Sequence, residues 1–357
     1  MGHNLVVVEP DLSLGLEKEM LVLRRNQEIV RRSKLQDLDQ VLLMGRQELS
    51  AAARHALLQR GIDVLFLTVH GKYLGRLSNY LSRNGPLRLA QYRVCSDPAQ
   101  SLTLARAFVS GKLTAQRRLM LRQQRELKNE QLTQALAGLR QMQSQLERAP
   151  AIDSLMGCEG RAAALYFGVF PRFIQAEGFP MQGRSKRPPR DAVNAALSFG
   201  YTMLTYAVES AVLKAGLDPY LGCLHQPRQG LPALVLDLME AFRPVLIDSL
   251  ILRLINREQL RPGDFYHPQE SALAEAILAE EGNDNISTEP DPRPAVYLNE
   301  TGRRIFFQAW YARLRESVFY PAQNRQLSYS DVIQQQVYHL ARVLQNEEPA
   351  YLPFVPR

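Results

Sequence analysis

The sequence predicts an α+β multidomain fold: a small β-sandwich domain over residues 1–85, then a larger all-helical domain over residues 86–357. Three observations carry this reading. Short β-rich runs punctuated by turn residues crowd residues 1–76. Beyond them, apolar residues recur at spacings of three and four almost to the end of the chain. Between the two patterns lies Arg83-Asn-Gly-Pro-Leu87, whose glycine and proline mark a linker.

In the first domain, Leu5–Val8, Leu12–Leu16, Met20–Arg24, Glu28–Arg32 and Val41–Met44 read as strands, punctuated by Pro10, Gly15, Asn26 and Gly45. Ser50 is placed to cap a helix, Ala51–Arg60, that Gly61 stops. Ile62–Val69 follows as a nearly continuous apolar run, then a His70-Gly71 turn and Lys72–Leu77. Many short strands with a single helix favour a sandwich over a nucleotide-binding βαβ sheet, and no phosphate loop is present. This half reads as scaffold.

The helical part opens with Leu104–Gly111 and Leu113–Lys128, and Leu132, Leu136, Leu139, Met142 and Leu146 continue its apolar stripe. Residues 105–150 hold nine basic side chains against three acidic ones, with Arg117, Arg118 and Arg122 close together. A solvated helical face normally mixes both signs, so this excess points to a phosphate-facing surface. Ser154-Leu-Met-Gly-Cys-Glu-Gly160 comes next, with Asp153 or Ser154 as its N-cap. Gly157, Gly160 and the alanines at 162–164 make one side of that helix thin, open to backbone or ligand. Glu159 stands between the glycines; a lone helical glutamate is ordinarily a surface residue.

Gly183–Arg190 is a proline-stiffened loop carrying Arg184, Lys186, Arg187 and Arg190. It reads either as a phosphate-binding loop or as a rigid connector with solvated arginines. Asp191 caps the next helix, Ala192–Ala215, which is apolar nearly all round and therefore central and buried. Gly216-Leu-Asp-Pro219 ends it and leads into a loop holding His225. A helix with Asp237 and Glu240 follows, their i, i+3 spacing placing both carboxylates on one face. An imidazole beside two carboxylates suits a divalent metal. The same residues equally suit a solvated pair, or an ion pair to Arg243. The helix continues past Pro244 through Leu246, Leu250, Leu254 and Ile255, and Glu280–Pro294 reads as a mobile loop or hairpin tip. Gly302–Val318 and Asp331–Asn346 are two more helices, and Tyr351–Arg357 is a tail.

Composition narrows the classes. A chain of 357 residues accommodates two domains, and 46% hydrophobic with 22% charged residues is ordinary for a soluble globular protein. No apolar run reaches membrane-spanning length, so no membrane partner is expected, and no signal peptide is evident in Met1–Gly15. Three cysteines (Cys95, Cys158, Cys223) without a CxxC pair argue against a disulfide framework or zinc knuckle and for a reducing, cytoplasmic setting. Cys158 and Cys223 flank two candidate ligands, where small-residue packing explains them. A net charge of +7 points to an anionic partner such as nucleic acid.

The motifs carry a family resemblance. Ser-Leu-Met-Gly-x-Glu-Gly around Glu159, Asp-Ala-Val-Asn-Ala-Ala-Leu-Ser-Phe-Gly-Tyr at 191–201, Gly-x-Leu-His at 222–225 and Asp-Leu-Met-Glu-Ala-Phe-Arg-Pro at 237–244 occur in order. With them the chain resembles the integrase subunit of CRISPR adaptation, CRISPR-associated protein one. Asp37-Leu-Asp-Gln-Val-Leu-Leu-Met-Gly45, Arg60-Gly-Ile-Asp-Val-Leu-Phe-Leu67, Gly302-Arg-Arg and Ser328–Arg342 are similar to that family too.

The resemblance implies an N-domain that dimerises and a helical, metal-dependent catalytic domain. It maps the family's metal ligands onto Glu159, His225 and Glu240, with Asp237 as the neighbouring acid and Mg2+ or Mn2+ as the ion. It implies an integrase and endonuclease that inserts short foreign DNA fragments (prespacers) into a CRISPR repeat by attack of a 3′-hydroxyl on a phosphodiester. It implies, as partners, a second copy of the chain and a small ferredoxin-like subunit bridging two dimers, and in some members a fused reverse transcriptase. Arg184, Lys186, Arg187 and Arg190, with Arg117, Arg118 and Arg122, are then the candidate DNA contacts. A nuclease on branched DNA and a catalytically silent DNA scaffold are the competing classes.

Overall fold

Leucines and valines set along short extended runs build the N-terminal unit. Its strands are β1 (His3–Val7), β2 (Ser13–Glu17), β3 (Met20–Arg25), β4 (Glu28–Lys34), β5 (Leu38–Met44), β6 (Glu48–Leu49), β7 (Asp63–Leu67) and β8 (Tyr73–Leu77), with one helix, α1 (Ala51–Gln59). They form two four-stranded sheets, ordered β1-β5-β7-β8 and β4-β3-β2-β6. Leu5, Val7, Leu14, Leu21, Leu23, Val41, Leu43 and Val64 from both sheets, with Leu57 of α1, make one apolar core. Each such side chain contributes roughly 1.5–3 kcal/mol when fully buried. Ser50 caps α1, its hydroxyl accepting the Ala53 N–H at 3.2 Å.

The first sheet differs from expectation. Strands β1, β5 and β7 are parallel, and α1 crosses between β5 and β7 as a βαβ unit. The reason is visible in β5 and β7, which are buried almost continuously instead of alternately, as interior parallel strands are.

The computed structural model describes residues 3–9, 11–79, 84–185, 188–268 and 294–356. The chain divides into two compact units, Met1–Leu81 and Ser82–Arg357. The second holds α2 (Gly85–Ser96), α3 (Pro98–Leu127), α4 (Glu130–Glu147), α5 (Ile152–Val169), α6 (Ala192–Ala215), α7 (Ala233–Met239), α8 (Ser249–Asn256), α9 (Glu300–Arg315) and α10 (Tyr329–Leu344). It is not wholly helical. Two antiparallel ribbons, β9 (Phe265–Tyr266) with β10 (Tyr297–Leu298) and β11 (Ser317–Tyr320) with β12 (Arg325–Ser328), interrupt it. No helix among the described residues is long and apolar enough to cross a membrane.

Helix boundaries follow local chemistry. Asp97 accepts the Ala99 and Gln100 N–H groups at 2.9 Å and starts α3 ahead of Pro98. Asp191 starts α6 through the Asn194 N–H at 2.8 Å, and Gly216, at φ +86°, ends it. Helix α5, by contrast, begins at Ile152 with no side-chain cap; Asp153 and Ser154 lie inside its first turn. After α7 the chain widens into a π-helical turn over Arg243–Asp248, where Pro244 has no N–H to continue an α-helix.

The C-terminal stretch is tied down. Gln336 accepts from the Tyr351 hydroxyl at 3.1 Å and the Phe354 N–H at 2.7 Å. Residues 280–293 of the expected loop, and Lys186 and Arg187, lie outside the described residues.

Candidate functional site

Lys112 organises the site. It lies on the apolar stripe of α3, one turn after Phe108 and one before Gln116, and is only 8% exposed. Its Nζ donates to Glu159 Oε1 from α5 and lies 2.6 Å from Glu240 Oε2 at the end of α7. Arg243, on the first turn of the π-helical segment, approaches the same Glu240 oxygen at 3.5 Å. That oxygen is buried, and its two ion-pair contacts lack hydrogen-bond geometry. Two carboxylates and two cations therefore neutralise one another where water is largely excluded.

Burial opposes ionisation of Glu240, but the Arg243 and Lys112 charges outweigh it and hold the carboxyl well below the ordinary range. Burial likewise opposes the Lys112 ammonium. Glu240 and Glu159 overcome it, and its pKa is raised.

His225 is set by Asp237. The Asp237 carboxylate, 0% exposed, accepts the N–H groups of Cys223 at 2.6 Å, Leu224 at 2.9 Å and His225 at 2.9 Å. It also takes the His225 Nδ1 at 2.7 Å. A carboxylate only accepts, so Nδ1 carries the proton and the neutral ring keeps its Nε2 lone pair. Burial lowers the imidazole pKa, but the Asp237 hydrogen bond and charge, aided by Glu240, lift it above its ordinary value. Gly222 permits this loop: a Cβ there would stand 2.7 Å from both Asp237 Oδ2 and the Ala233 carbonyl carbon.

Asp237 and Glu240 thus diverge. Asp237 lies inside α7 and turns to the His225 loop; Glu240 closes the helix and turns to Lys112 and Arg243. Glu159 and Glu240 meet at Lys112, and His225 feels the Glu240 charge, yet among the described residues no three His, Cys, Asp or Glu side chains gather closely enough to hold a metal ion.

A second buried cluster adjoins Arg243. Asp248 accepts the Tyr166 hydroxyl at 2.7 Å and the Tyr201 hydroxyl at 2.6 Å. Burial pushes its pKa up to about 6 against the hydrogen bonds of both tyrosines. The Tyr201 ring lies under two guanidinium groups, Arg243 at 4.8 Å and Arg184 at 5.5 Å.

The basic residues divide. Arg184 is not a free loop arginine: it donates to Asn194 Oδ1 at 2.7 Å and Ser198 Oγ at 3.0 Å. Arg118 holds the carbonyls of Val355 and Pro356. Arg122 is exposed, and Arg117 and Arg190 are half-buried. Gly160 faces open space, with nothing within 4 Å of a Cβ there, whereas Ala162 of the expected thin side is buried. The three cysteines are free, and the Cys95 and Cys223 sulfurs touch at 3.3 Å.

Sequence reasoning missed Lys112, Tyr166, Tyr201 and Asp248. For Lys112 a signal existed: a lysine at a buried position of an amphipathic stripe requires a partner.

Comparison with known proteins places the chain. A family model described as CRISPR associated protein Cas1 matches residues 5–291. CRISPR-associated endonuclease Cas1 3 of Thermus thermophilus is 35% identical over 334 residues, covering 94% of this chain and 91% of that protein. A CRISPR-associated exonuclease Cas4/endonuclease Cas1 fusion of Geobacter sulfurreducens is 34% identical over 363 residues, 100% of this chain but 61% of the fusion. The chain thus spans only part of that relative. Among solved structures, a casposase bound to its integration product superposes with a TM-score of 0.79 at 20% identity, over 98% of this chain and 92% of that one. A Cas6-RT-Cas1–Cas2 complex gives 0.78 at 24% identity, over 99% of this chain and 36% of that chain. These two likenesses concern the fold alone. With its family model running from β1 across the whole Lys112–Glu159–Glu240 site, the chain belongs to the Cas1 family of CRISPR-associated proteins.

Proposed function

We propose that this protein is a divalent-metal-dependent DNA integrase and endonuclease that inserts short DNA fragments into a CRISPR repeat. Glu159, His225 and Glu240 hold the ion, Mg2+ or Mn2+, and Asp237 orients His225. The observation that carries this reading is the convergence of Glu159 and Glu240, from separate helices, on one buried cation. The donor set fits a divalent ion: two carboxylates already facing a positive charge, and an imidazole with its second nitrogen fixed. When bound, such an ion polarises a phosphoryl oxygen and acidifies a hydroxyl.

The chain's own residues supply the rest. Asp237 holds the imidazole in one tautomer and one orientation. Arg243, ion-paired to Glu240 and stacked on Tyr201, fixes Glu240 and adds positive charge where a phosphodiester would enter. In strand transfer a 3′-hydroxyl oxygen bonds to phosphorus, a repeat 3′-oxygen leaves, and the hydroxyl proton passes to the leaving oxygen. The number of phosphodiesters is unchanged, so no external energy is required. Water in place of the hydroxyl yields a nick, in keeping with the word endonuclease in the relatives' names.

Arg117 and Arg122, with Lys186, Arg187 and Arg190, are the proposed phosphate contacts, whereas Arg118 and Arg184 serve chiefly to hold structure. Complete insertion takes two strand transfers and the described residues offer one such site per chain, so the working unit holds at least two copies, paired through residues 1–85. A small Cas2-type subunit, and in some contexts a reverse transcriptase, are the proposed partners, after the assembly named for a structural neighbour.

A strand-transfer assay with a 3′-hydroxyl oligonucleotide and a supercoiled repeat plasmid tests the reading. Joined product supports integration, nicks alone indicate a nuclease, and a gel shift without product indicates a scaffold. Alanine at Glu159, His225 or Glu240 lowers strand transfer by about two orders of magnitude or more, and double variants lose little beyond that, since ligands of one ion act as a unit. DNA affinity survives. Full activity of Glu159→Ala or His225→Ala places the chemistry elsewhere.

A further inference from the structure

We infer that Lys112 is the resident counter-ion of the site: without metal its ammonium holds Glu159 and Glu240 together, and a divalent cation binds there only by displacing it. The inference rests on the metal reading proposed above.

Lysine is almost never so buried without a partner, and here it has two. Two carboxylates drawn to one point repel unless a cation lies between them, and Lys112 Nζ is that cation. Any ion touching both carboxylates would occupy the space the ammonium fills, and two positive charges cannot share it. This accounts for the absence, among the described residues, of a ready-made three-donor cluster beside donors of the right chemistry.

Lys112 and Arg243 both face Glu240, but they are not equally movable. Arg243 is stacked on the Tyr201 ring at 4.8 Å. Lys112 is a point charge on a flexible four-carbon stem; it donates to Glu159, and its tie to Glu240 Oε2, like that of Arg243, is one of charge without hydrogen-bond geometry. The lysine is therefore the group that yields, and once displaced it remains beside the ion, free to meet a phosphate oxygen.

The first test uses the unaltered protein. Acetylation of Lys112 by an N-hydroxysuccinimide ester, read by mass spectrometry, is expected to be slow without metal and about tenfold faster in saturating Mn2+, with other lysines unchanged. The second is calorimetry of Mn2+ binding to Lys112→Met, whose Kd is expected to fall about tenfold while its metal-free Tm drops. Unchanged labelling, or a Kd that is unchanged or weaker, overturns the inference. Glu159→Ala and Glu240→Ala separate the two readings. If they bind Mn2+ as the unaltered protein does, the metal site itself is wrong and the inference falls with it. If they lose Mn2+ while Lys112 labelling stays flat, only the role of Lys112 falls.

Discussion

Asp237 shows how much one carboxylate can decide. Its two oxygens accept three backbone N–H groups and the His225 ring, so the consecutive donors at 223–225 all end on it. Asp237→Asn turns an NH2 toward N–H donors, leaving buried donors unpaired at roughly 1–3 kcal/mol each. A Tm fall with a total cost of about 2–4 kcal/mol is expected, alongside lost strand transfer; a variant as stable as the parent would remove Asp237 from this role. Under the proposed function, His225 also sets the acid limb of activity. Its pKa is raised in the folded protein, so the charged form gains stability that is complete below the ordinary histidine value and lost as pH rises through the raised one. Protonated imidazole cannot ligate, so the pH–rate profile should fall at a pH above the ordinary histidine value of about 6.5, and extra Mn2+ should restore part of the loss.

At the scale of elements, two crossings hold the site. Gly111, next to Lys112, brings α3 against the C-terminal stretch and the residues just after α7: a Cβ there would stand 2.6 Å from Pro353 Cβ and 3.2 Å from Ala241 Cβ. Gly111→Ala should cost about 1–3 kcal/mol by overpacking, although alanine favours helix, and should reduce strand transfer because Lys112 and Glu240 are its neighbours. Chemical denaturation reads the first effect. The other crossing is Asp248, which joins α5 and α6 to the π-helical turn through Tyr166 and Tyr201. Its pKa of about 6 lies above the ordinary aspartate value, so its contribution is fully present below about pH 4 and lost as pH rises through about 6. The stability difference between the parent and Asp248→Asn should therefore shift by about 2–3 kcal/mol in favour of the variant across that window. A flat difference would mean that Asp248 titrates normally.

At the scale of the whole molecule, the two units carry different duties under the proposed function. Deleting residues 1–85 should leave a helical protein, by circular dichroism, that binds DNA yet fails to complete two-ended integration, because pairing of copies is lost. A full-length monomer that inserts both ends unaided would sink that expectation. Charge acts at this scale too. Of the loop arginines, Arg184 is bound into α6, so Arg184→Gln should lower Tm. Arg190→Gln should chiefly reduce the salt dependence of DNA binding, by roughly 0.7–0.9 in log–log slope for each phosphate no longer neutralised. Titrations across a range of salt concentrations read that slope.

What the sequence alone determined is local. The strands from Leu5 to Leu77, the burial of most of α6, the Ser50 and Asp191 caps and the Gly216 stop were legible, because each depends on side-chain period and hydrogen bonds within a few residues. Family motifs named Glu159, His225, Asp237 and Glu240 but not what each faces. The parallel β5–α1–β7 crossover, the uncapped start of α5 and the π-helical turn at Pro244 were read differently, since neighbours distant in sequence settled them. Only the tertiary structure put Lys112 between Glu159 and Glu240, sent Asp237 to the His225 loop, and laid Arg184 and Arg243 on Tyr201. Periodicity tells which face of a helix is apolar. Which charge from another helix meets a lysine on that face is decided when the core closes, and burial then makes the pairing compulsory.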